Sequence, residues 1–388
     1  MSDYQNLILK VKTTLAPFKA FIKRPAKGYL KYDYLVPSGY YQEQWDWDAF
    51  FMGVGLSAGI SSEAIYLRNW ALNYITLAKK DGYSPGCVTP KGAEKGHRAI
   101  LMKPFIGQGS YLASVFLNDF SWIKPHYQKL VQMVLYREKK VWNKKYDLGV
   151  WTTSMESGAD DNVAAFNFPK KSVVASDVNT FIYREYQALS KIAEELGKTG
   201  DAEGFDKRAK EIKRNINKYL WNDKDQIYYN LFSKTGQHIK RISYSCFIPL
   251  WGKIAGQKEG KSMISRYLLS TKHMLSKYGG RTLSKQDSQY NNVNRIKPFS
   301  NWQGPVWPIA NYMYMHGLLN YGFQKEAVKL AITISKLVLD DIKNTGGMHE
   351  NYDAESGKPL ASPGFVSWNI LVGNMLEEAI THKNPFLI

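Results

Sequence analysis

Apolar residues recur at helical spacing along most of the chain. Between Asp177 and Leu196 they fall at Val178, Ile182, Leu189, Ile192, Ala193 and Leu196, mostly three or four apart, which predicts one buried helix face. Gly197 stops that helix. A second runs from about Ala202 to Leu220 on the stripe Phe205, Ala209, Ile212, Ile216 and Tyr219. The few residues between them allow only a tight turn, so the two form an antiparallel hairpin. The same periodicity predicts helices over 4–20, 62–80, 109–120, 126–142, 261–277, 308–320, 324–343 and 365–379. Strand signals are brief. Tyr228 to Phe232, ahead of Thr235-Gly236, reads as one arm of a small hairpin.

Long Gly-, Pro- and aromatic-rich segments separate these helices, at 32–51, 82–107, 152–176, 279–307 and 346–364. Loops beyond about 12–15 residues in a compact domain are usually functional. No Pro- or Ser-rich linker divides the chain, so 1–388 reads as one domain. About a dozen helices, taken as six hairpins of roughly 65 residues each, suit an all-α, closed (α/α)6 toroid with its long loops over one end.

Composition narrows the function. With 44% hydrophobic and 22% charged residues the chain is not intrinsically disordered. No run reaches the roughly 18 apolar residues of a membrane span, and residues 1–10 lack a secretory h-region. Two cysteines, Cys87 and Cys246, make neither a disulfide scaffold nor a zinc module. The expectation is a cytoplasmic protein without a membrane partner. The net charge of +18 invites nucleic acid, but the basic residues are spread as singles and pairs, without an Arg-rich tail or an RNP pattern. A solvated basic surface or an anionic small-molecule substrate accounts for the charge instead. Eleven Trp and 26 Tyr favour surfaces of mixed polarity, which is the character of sugars.

Three of the long loops mix carboxylates with aromatic rings. Pro37 to Phe50 holds Glu43, Asp46 and Asp48 among Tyr40, Tyr41, Trp45, Trp47 and Phe50. Buried carboxylates need hydrogen-bond partners. Either sugar hydroxyls supply them, or Asp46 and Asp48 cap the following helix and the Trp residues are core. Met155-Glu156-Ser157-Gly158-Ala159-Asp160-Asp161-Asn162 crowds acidic groups, which raises a carboxyl pKa toward that of a general acid; a polar loop of Asx-turns, or a calcium site that the lack of EF-hand spacing disfavours, is the other reading. The third region combines Ser300-Asn301-Trp302-Gln303-Gly304-Pro305-Val306-Trp307-Pro308 with Gly346-Gly347-Met348-His349-Glu350-Asn351-Tyr352-Asp353. There Glu350 follows a Gly pair and is flanked by groups able to orient it, or Gly346 merely ends a helix and Glu350 is solvated.

These blocks resemble the clan of inverting α-glycosidases that holds the trehalases (glycoside hydrolase family 37) and the processing α-glucosidases and mannosylglycerate hydrolases (family 63). Pro37, Gly39, Glu43, Trp47 and Asp48 match the first trehalase pattern in register, with Tyr41, Trp45 and Phe50 as aromatic replacements. Glu156-Ser157-Gly158-Ala159-Asp160 matches the block that carries the acid. Trp302 to Trp307 matches the Trp-x-Gly-Pro-Val-Trp pattern, and Glu350 stands where the family carries its base. The resemblance implies inverting hydrolysis of an α-glycosidic bond, with Asp160 as general acid and Glu350 as general base. It also implies a sugar site drawn from Tyr40, Trp45, Trp47, Asp48, Lys103, Gln108, Gly158, Trp302, Gly304 and Trp307. Two carboxylates suffice for this reaction, so neither metal nor organic cofactor is expected. Tyr40 replaces a substrate-binding Arg, Ala159 a Trp, and Lys103 stands near a family Gln within 98–104; these departures concern specificity, and trehalose, other α-glucosides or α-mannosides and anionic glycerate glycosides are all open as substrates. An epimerase, a lyase or a silent glycan-binding protein on the same toroid is the alternative. The seven dispersed His disfavour the first two, and retention of both Asp160 and Glu350 disfavours the last.

Overall fold

The computed structural model describes residues 3–95, 99–297 and 299–388, so Arg98 of the 98–104 segment lies outside the described residues. Twelve helices among them build the frame: α1 (Asp3–Leu15), α2 (Asp46–Gly59), α3 (Ala64–Leu77), α4 (Ile106–Leu117), α5 (Tyr127–Lys140), α6 (Ser176–Glu195), α7 (Thr199–Tyr219), α8 (Ile248–Trp251), α9 (Gln257–Met263), α10 (Pro308–Asn320), α11 (Gln324–Thr345) and α12 (Val372–Thr381). The even-numbered helices form an inner ring. α2 packs on α4, α4 on α6, α6 on α8, α8 on α10, and α10 on α12, while α12 and the 3-10 turn before it (Ser367–Leu371) return to α2. Odd-numbered helices pack outside, and α1 closes the circle against α12. This is an (α/α)6 toroid.

Position in the ring explains which helices carry a legible stripe. The outer α7 buries only Ala202, Ala209, Ile212, Asn215 and Ile216, leaving a polar outer face. Two inner helices are buried nearly all round: α10 from Pro308 through Leu318, and α2 from Asp46 through Ser57. A helix without a solvent face has no apolar–polar period. For that reason α2 reads as loop as far as Phe51, and the four-residue α8 is too short to show a period, whereas the inner α6 keeps a legible stripe through its exposed Lys191, Glu194 and Glu195. The helix expected over 261–277 is a correction. It continues past Met263 only through the π turn Ile264–Leu268, and Leu275–Ser276 then pairs antiparallel with Gly279–Gly280. Asn311 holds that hairpin, accepting from the Gly280 N–H at 2.6 Å. The expected strand arm is present, since Asn230–Phe232 pairs with Gln237–Ile239. No helix among the described residues is long and apolar enough to cross a membrane.

Outer-to-inner connections are long and gather at one end of the ring. They therefore sit at the N-terminal ends of the inner helices, where unpaired N–H groups point outward. Asp160 enters before α6 and Glu350 before α12. These are the third and sixth inner helices, so the two residues enter from opposite sides of the axis.

Candidate active site

A cavity of about 590 Å³ opens among these connections. Its wall takes Pro37, Tyr41, Trp45, Trp47 and Asp48 from the approach to α2, Ile100 and Lys103 from that to α4, and Met155, Gly158 and Asp160 from that to α6. Ile296, Lys297, Phe299, Ser300 and Trp307 precede α10, and Glu350, Phe365 and Trp368 precede α12.

Long-range hydrogen bonds lock the connections to one another. The Pro37 carbonyl accepts from the N–H groups of Val366 and Ser367, and Ser367 Oγ donates to Asp48 Oδ1 at 2.7 Å. Asp161, next to Asp160 in the chain, accepts from the Trp302 N–H at 2.6 Å and pairs with Arg295. Val306 and Tyr352 exchange backbone hydrogen bonds of 2.8 and 2.9 Å, joining the two halves of the third region.

Within each block the structure separates cavity groups from anchors. The cap reading of the first loop is a correction: Trp45 is the N-cap of α2, without a side-chain cap, and both aspartates lie inside the first turn. Asp46 is fully buried, accepts from the Trp47 N–H, and takes both the Lys103 N–H at 2.6 Å and Lys103 Nζ at 3.1 Å. Asp48, in the first turn of α2, faces the cavity. Glu156 is also an anchor. Its carboxylate meets Arg137 Nη1 at 2.7 Å and accepts from the Thr152 N–H at 2.6 Å. The chain then turns at Gly158, whose φ of +79° favours glycine, and four residues after Glu156 delivers a half-buried Asp160 into the cavity. A Cβ on Gly158 would also meet Lys103 Cε at 3.2 Å.

Glu350 sits beneath the same cavity. Gly346 does end α11 in the left-handed conformation. His349 and Tyr352 bind Asp341 of that helix rather than the Glu350 carboxylate, so they fix the loop and not the carboxyl. Ser300 and Ser362 donate to Glu350 Oε2 at 3.1 and 3.2 Å. The Ser300 N–H faces Asp160 Oδ2 at 3.4 Å. One serine thus spans the gap, which by covalent geometry keeps the two carboxylate oxygens within roughly 10 Å.

Burial drives the electrostatics. It pushes the Asp160 carboxyl up to about 7, against the pull of the Ser300 N–H and Lys103. Burial pushes Glu350 up to about 8, and the nearby charge of Asp160 adds to it. Asp48 rises to about 6, again by burial, with Ser367 and Lys103 opposing. Two raised carboxyls facing each other share one proton near neutral pH, and the higher value of Glu350 draws that proton toward it, so the burial shifts do not by themselves say which carboxyl is the acid. Trp47 and Trp368 line the cavity, and their indole N–H groups are buried without a protein acceptor.

Four expected sugar contacts lie elsewhere. Gln108 belongs to the scaffold: its amide donates to the carbonyls of Pro104 and Phe181 and accepts from Arg184 Nε at 2.9 Å. Trp302 stacks behind Trp307, with centroids 4.1 Å apart, and only Trp307 reaches the cavity. Gly304 is needed for close packing, because a Cβ there would lie 2.3 Å from the Asn291 carbonyl oxygen. Tyr40 is 59% exposed at the rim, its ring tilted against that of the cavity's Tyr41 with centroids 4.9 Å apart. Trp45, Trp47, Asp48, Lys103, Gly158, Asp160, Trp307 and Glu350 do converge. Ser300, Ser362, Phe365 and Trp368 were not singled out from sequence. Ser300 lay inside a quoted block, but small hydroxyls carry no pattern of their own.

Comparison with known proteins follows the same lines. The profile of the mannosylglycerate hydrolase MGH1-like glycoside hydrolase domain matches residues 40–368. A mannosylglycerate hydrolase of Rubrobacter radiotolerans is 28% identical over 190 residues, 49% of this chain and 40% of its own. A trehalase of Tenebrio molitor is 25% identical over 246 residues, 60% of this chain and 42% of its own. The alignments thus span less than half the length of these relatives. Among solved structures, the family 63 mannosylglycerate hydrolase of Thermus thermophilus in complex with glucose superposes with a TM-score of 0.71 at 17% identity, covering 96% of this chain and 99% of that one. Neutral trehalase of Saccharomyces cerevisiae gives 0.65 at 15% identity, over 91% and 76%. At these identities the likeness is one of fold.

Proposed function

The chain belongs to the mannosylglycerate hydrolase MGH1-like glycoside hydrolases, and from that premise we propose that it hydrolyses a small α-glycoside with inversion of configuration. The observation that carries this reading is the pair of raised carboxyls on opposite sides of one cavity, bridged by Ser300. Its place in the family's acid block, not its pKa, gives Asp160 the acid's role: in the reactive microstate it carries the shared proton and gives it to the glycosidic oxygen as the C1–O bond breaks. Glu350, ionised, takes a proton from the water that attacks C1 from the other face. Asp48 and Lys103 hold the sugar hydroxyls, and Trp47, Trp307 and Trp368 cover its apolar faces. The closed ring supports reading 1–388 as one catalytic unit. Cys87 and Cys246 remain thiols, which suits the reducing cytoplasm.

Stereochemistry tests the mechanism. An inverting pair is about 6.5–9.5 Å apart, whereas a retaining pair is about 5–5.5 Å apart. The Ser300 bridge admits both separations, so inversion follows from family membership, and an α-glycoside should release the β-anomer first, seen by proton NMR before mutarotation. Initial α-anomer would make Glu350 a nucleophile and overturn the assignment.

The pH profile follows from the same pair. Below both pKa values the base is protonated, and above both the acid is ionised, so only the singly protonated pair works. With both carboxyls raised, kcat/KM should peak near neutrality and fall on the acidic side well above the ordinary carboxylate range of about 4. An acidic limb at pH 4–5 would contradict the burial argument.

An anionic leaving group, such as the glycerate of mannosylglycerate or glucosylglycerate, has one cation to meet. Lys103 is engaged by Asp46, but Lys297 lines the cavity and has no carboxylate partner among the described residues. Rising salt should lower kcat/KM for a glycerate glycoside and spare the neutral glycerol analogue. Lys297→Ala should erase that difference.

A further inference from the structure

Two connections of the ring hold the Glu350 carboxylate by the same oxygen. The Glu350 N–H donates to the Ala361 carbonyl at 2.9 Å and the Leu360 N–H to the Asn351 carbonyl at 3.0 Å, so the 360–362 segment runs alongside the base. At Ser362 that segment turns through a φ of +54°, a costly conformation for a residue other than glycine, and the Ser362 Oγ donates to Glu350 Oε2 at 3.2 Å. Ser300 reaches the same oxygen at 3.1 Å from the connection before α10. Its neighbours are fixed, with Asn301 Nδ2 donating to Asn291 Oδ1 and the Val293 carbonyl, and the Trp302 N–H to Asp161. Among the described residues Asp160 meets no hydroxyl. The Ser300 N–H lies 3.4 Å from it, long for a hydrogen bond, and Lys103 is paired with Asp46 at 3.1 Å.

We propose that Ser300 and Ser362 are positioning residues that keep Glu350 ionised, so that the proton shared by the pair stands on Asp160 when the glycosidic oxygen arrives. The inference rests on the hydrolase reading and adds what divides its two roles. A donor binds an ionised acceptor roughly twice as strongly as a neutral one, so two hydroxyls on one oxygen favour the charged form. Burial and the charges of Asp160 and Asp48 work the other way and push Glu350 up, while the two serines pull it down. Of the other groups around the pair, Lys103 acts on Asp160 and Asp48, Lys297 lines the cavity, and the Tyr40 hydroxyl is raised by burial and stays neutral. A substrate entering the cavity displaces the water that solvates the carboxylate, whereas the two serines, being part of the wall and its support, stay in place.

Glycosyl fluorides isolate the effect, because their cleavage needs the base ionised but no proton from Asp160. With α-D-glucosyl and α-D-mannosyl fluoride, kcat/KM should rise with pH along a single acidic limb that reports Glu350. Ser300→Ala and Ser362→Gly should each move that limb up by about one pH unit. Ser300→Thr, which keeps the hydroxyl, should leave it near the parent's. Glycine suits the φ of +54° at 362, so the hydroxyl is removed there without endangering the fold. On an alkyl α-glycoside the same two variants should lose about tenfold at the optimum, as the shared proton moves to Glu350. A lower kcat/KM with an unmoved limb would make the serines merely structural and overturn the proposal, leaving the hydrolase reading intact. If the parent cleaves neither fluoride, it is the hydrolase reading that fails. The carboxyl NMR shift of Glu350, assigned by its loss in Glu350→Gln, then reads the same pKa without turnover: a higher value in the two variants supports the role of the serines, and an equal one overturns it.

Discussion

Asp160→Asn is expected to lower kcat on an alkyl or sugar α-glycoside by about 10²–10⁴-fold, while cleavage of the matching α-glycosyl fluoride survives. Fluoride leaves as an anion, so breaking the C1–F bond needs no proton from residue 160. Glu350→Gln should lose both activities, because attacking water still requires a base. This contrast assigns the roles, which a simple loss of activity does not. Equal loss of fluoride cleavage in the two variants would remove the acid–base assignment. Stability should move the other way. Both carboxyls have folded pKa values above their unfolded ones, at about 7 for Asp160 and about 8 for Glu350. Folding with such groups ionised is penalised progressively as pH rises from about 4 through these values. The two amide variants should therefore melt higher than the parent at pH 8, by a margin that shrinks toward pH 5. No gain at pH 8 would show that the carboxyls are better solvated than their burial implies.

Arg137→Met should cost about 3–5 kcal/mol of stability, read from the denaturant midpoint, because it strands the Glu156 carboxylate. Arg137 is 5% and Glu156 0% exposed, and their contact is 2.7 Å. The guanidinium also donates to the carbonyls of Met102 and Val150 and lies over the Trp151 ring. Met102 precedes Lys103, and Glu156 precedes Asp160 by one turn and a bend. Turnover should consequently fall along with stability even though neither side chain reaches the cavity. The double variant Arg137→Met/Glu156→Met should recover part of the stability, since no charge is then left unpaired. A single variant that unfolds like the parent would mean water reaches Glu156.

Sequence alone determined the parts whose pattern is local. Amphipathic outer helices such as α7 and α11 announce themselves because one face meets water. The carboxylates that reach the cavity were legible too, because Asp160, Glu350 and Asp48 sit in blocks dense in acid, Trp and Gly. Only the tertiary structure decided the division of labour inside each block. Asp46 became the anchor of Lys103, 57 residues away, while Asp48, two positions later, faced the cavity against Ser367, 319 residues away. Trp302 went behind Trp307, and Gln108 was consumed by the backbone of its own ring. The inner helix α2 was hidden for a related reason: buried on every side, it carries no period. A side chain's role here depends on which side of the wall it faces, and that is set by partners from other turns of the ring, which no neighbouring residue records.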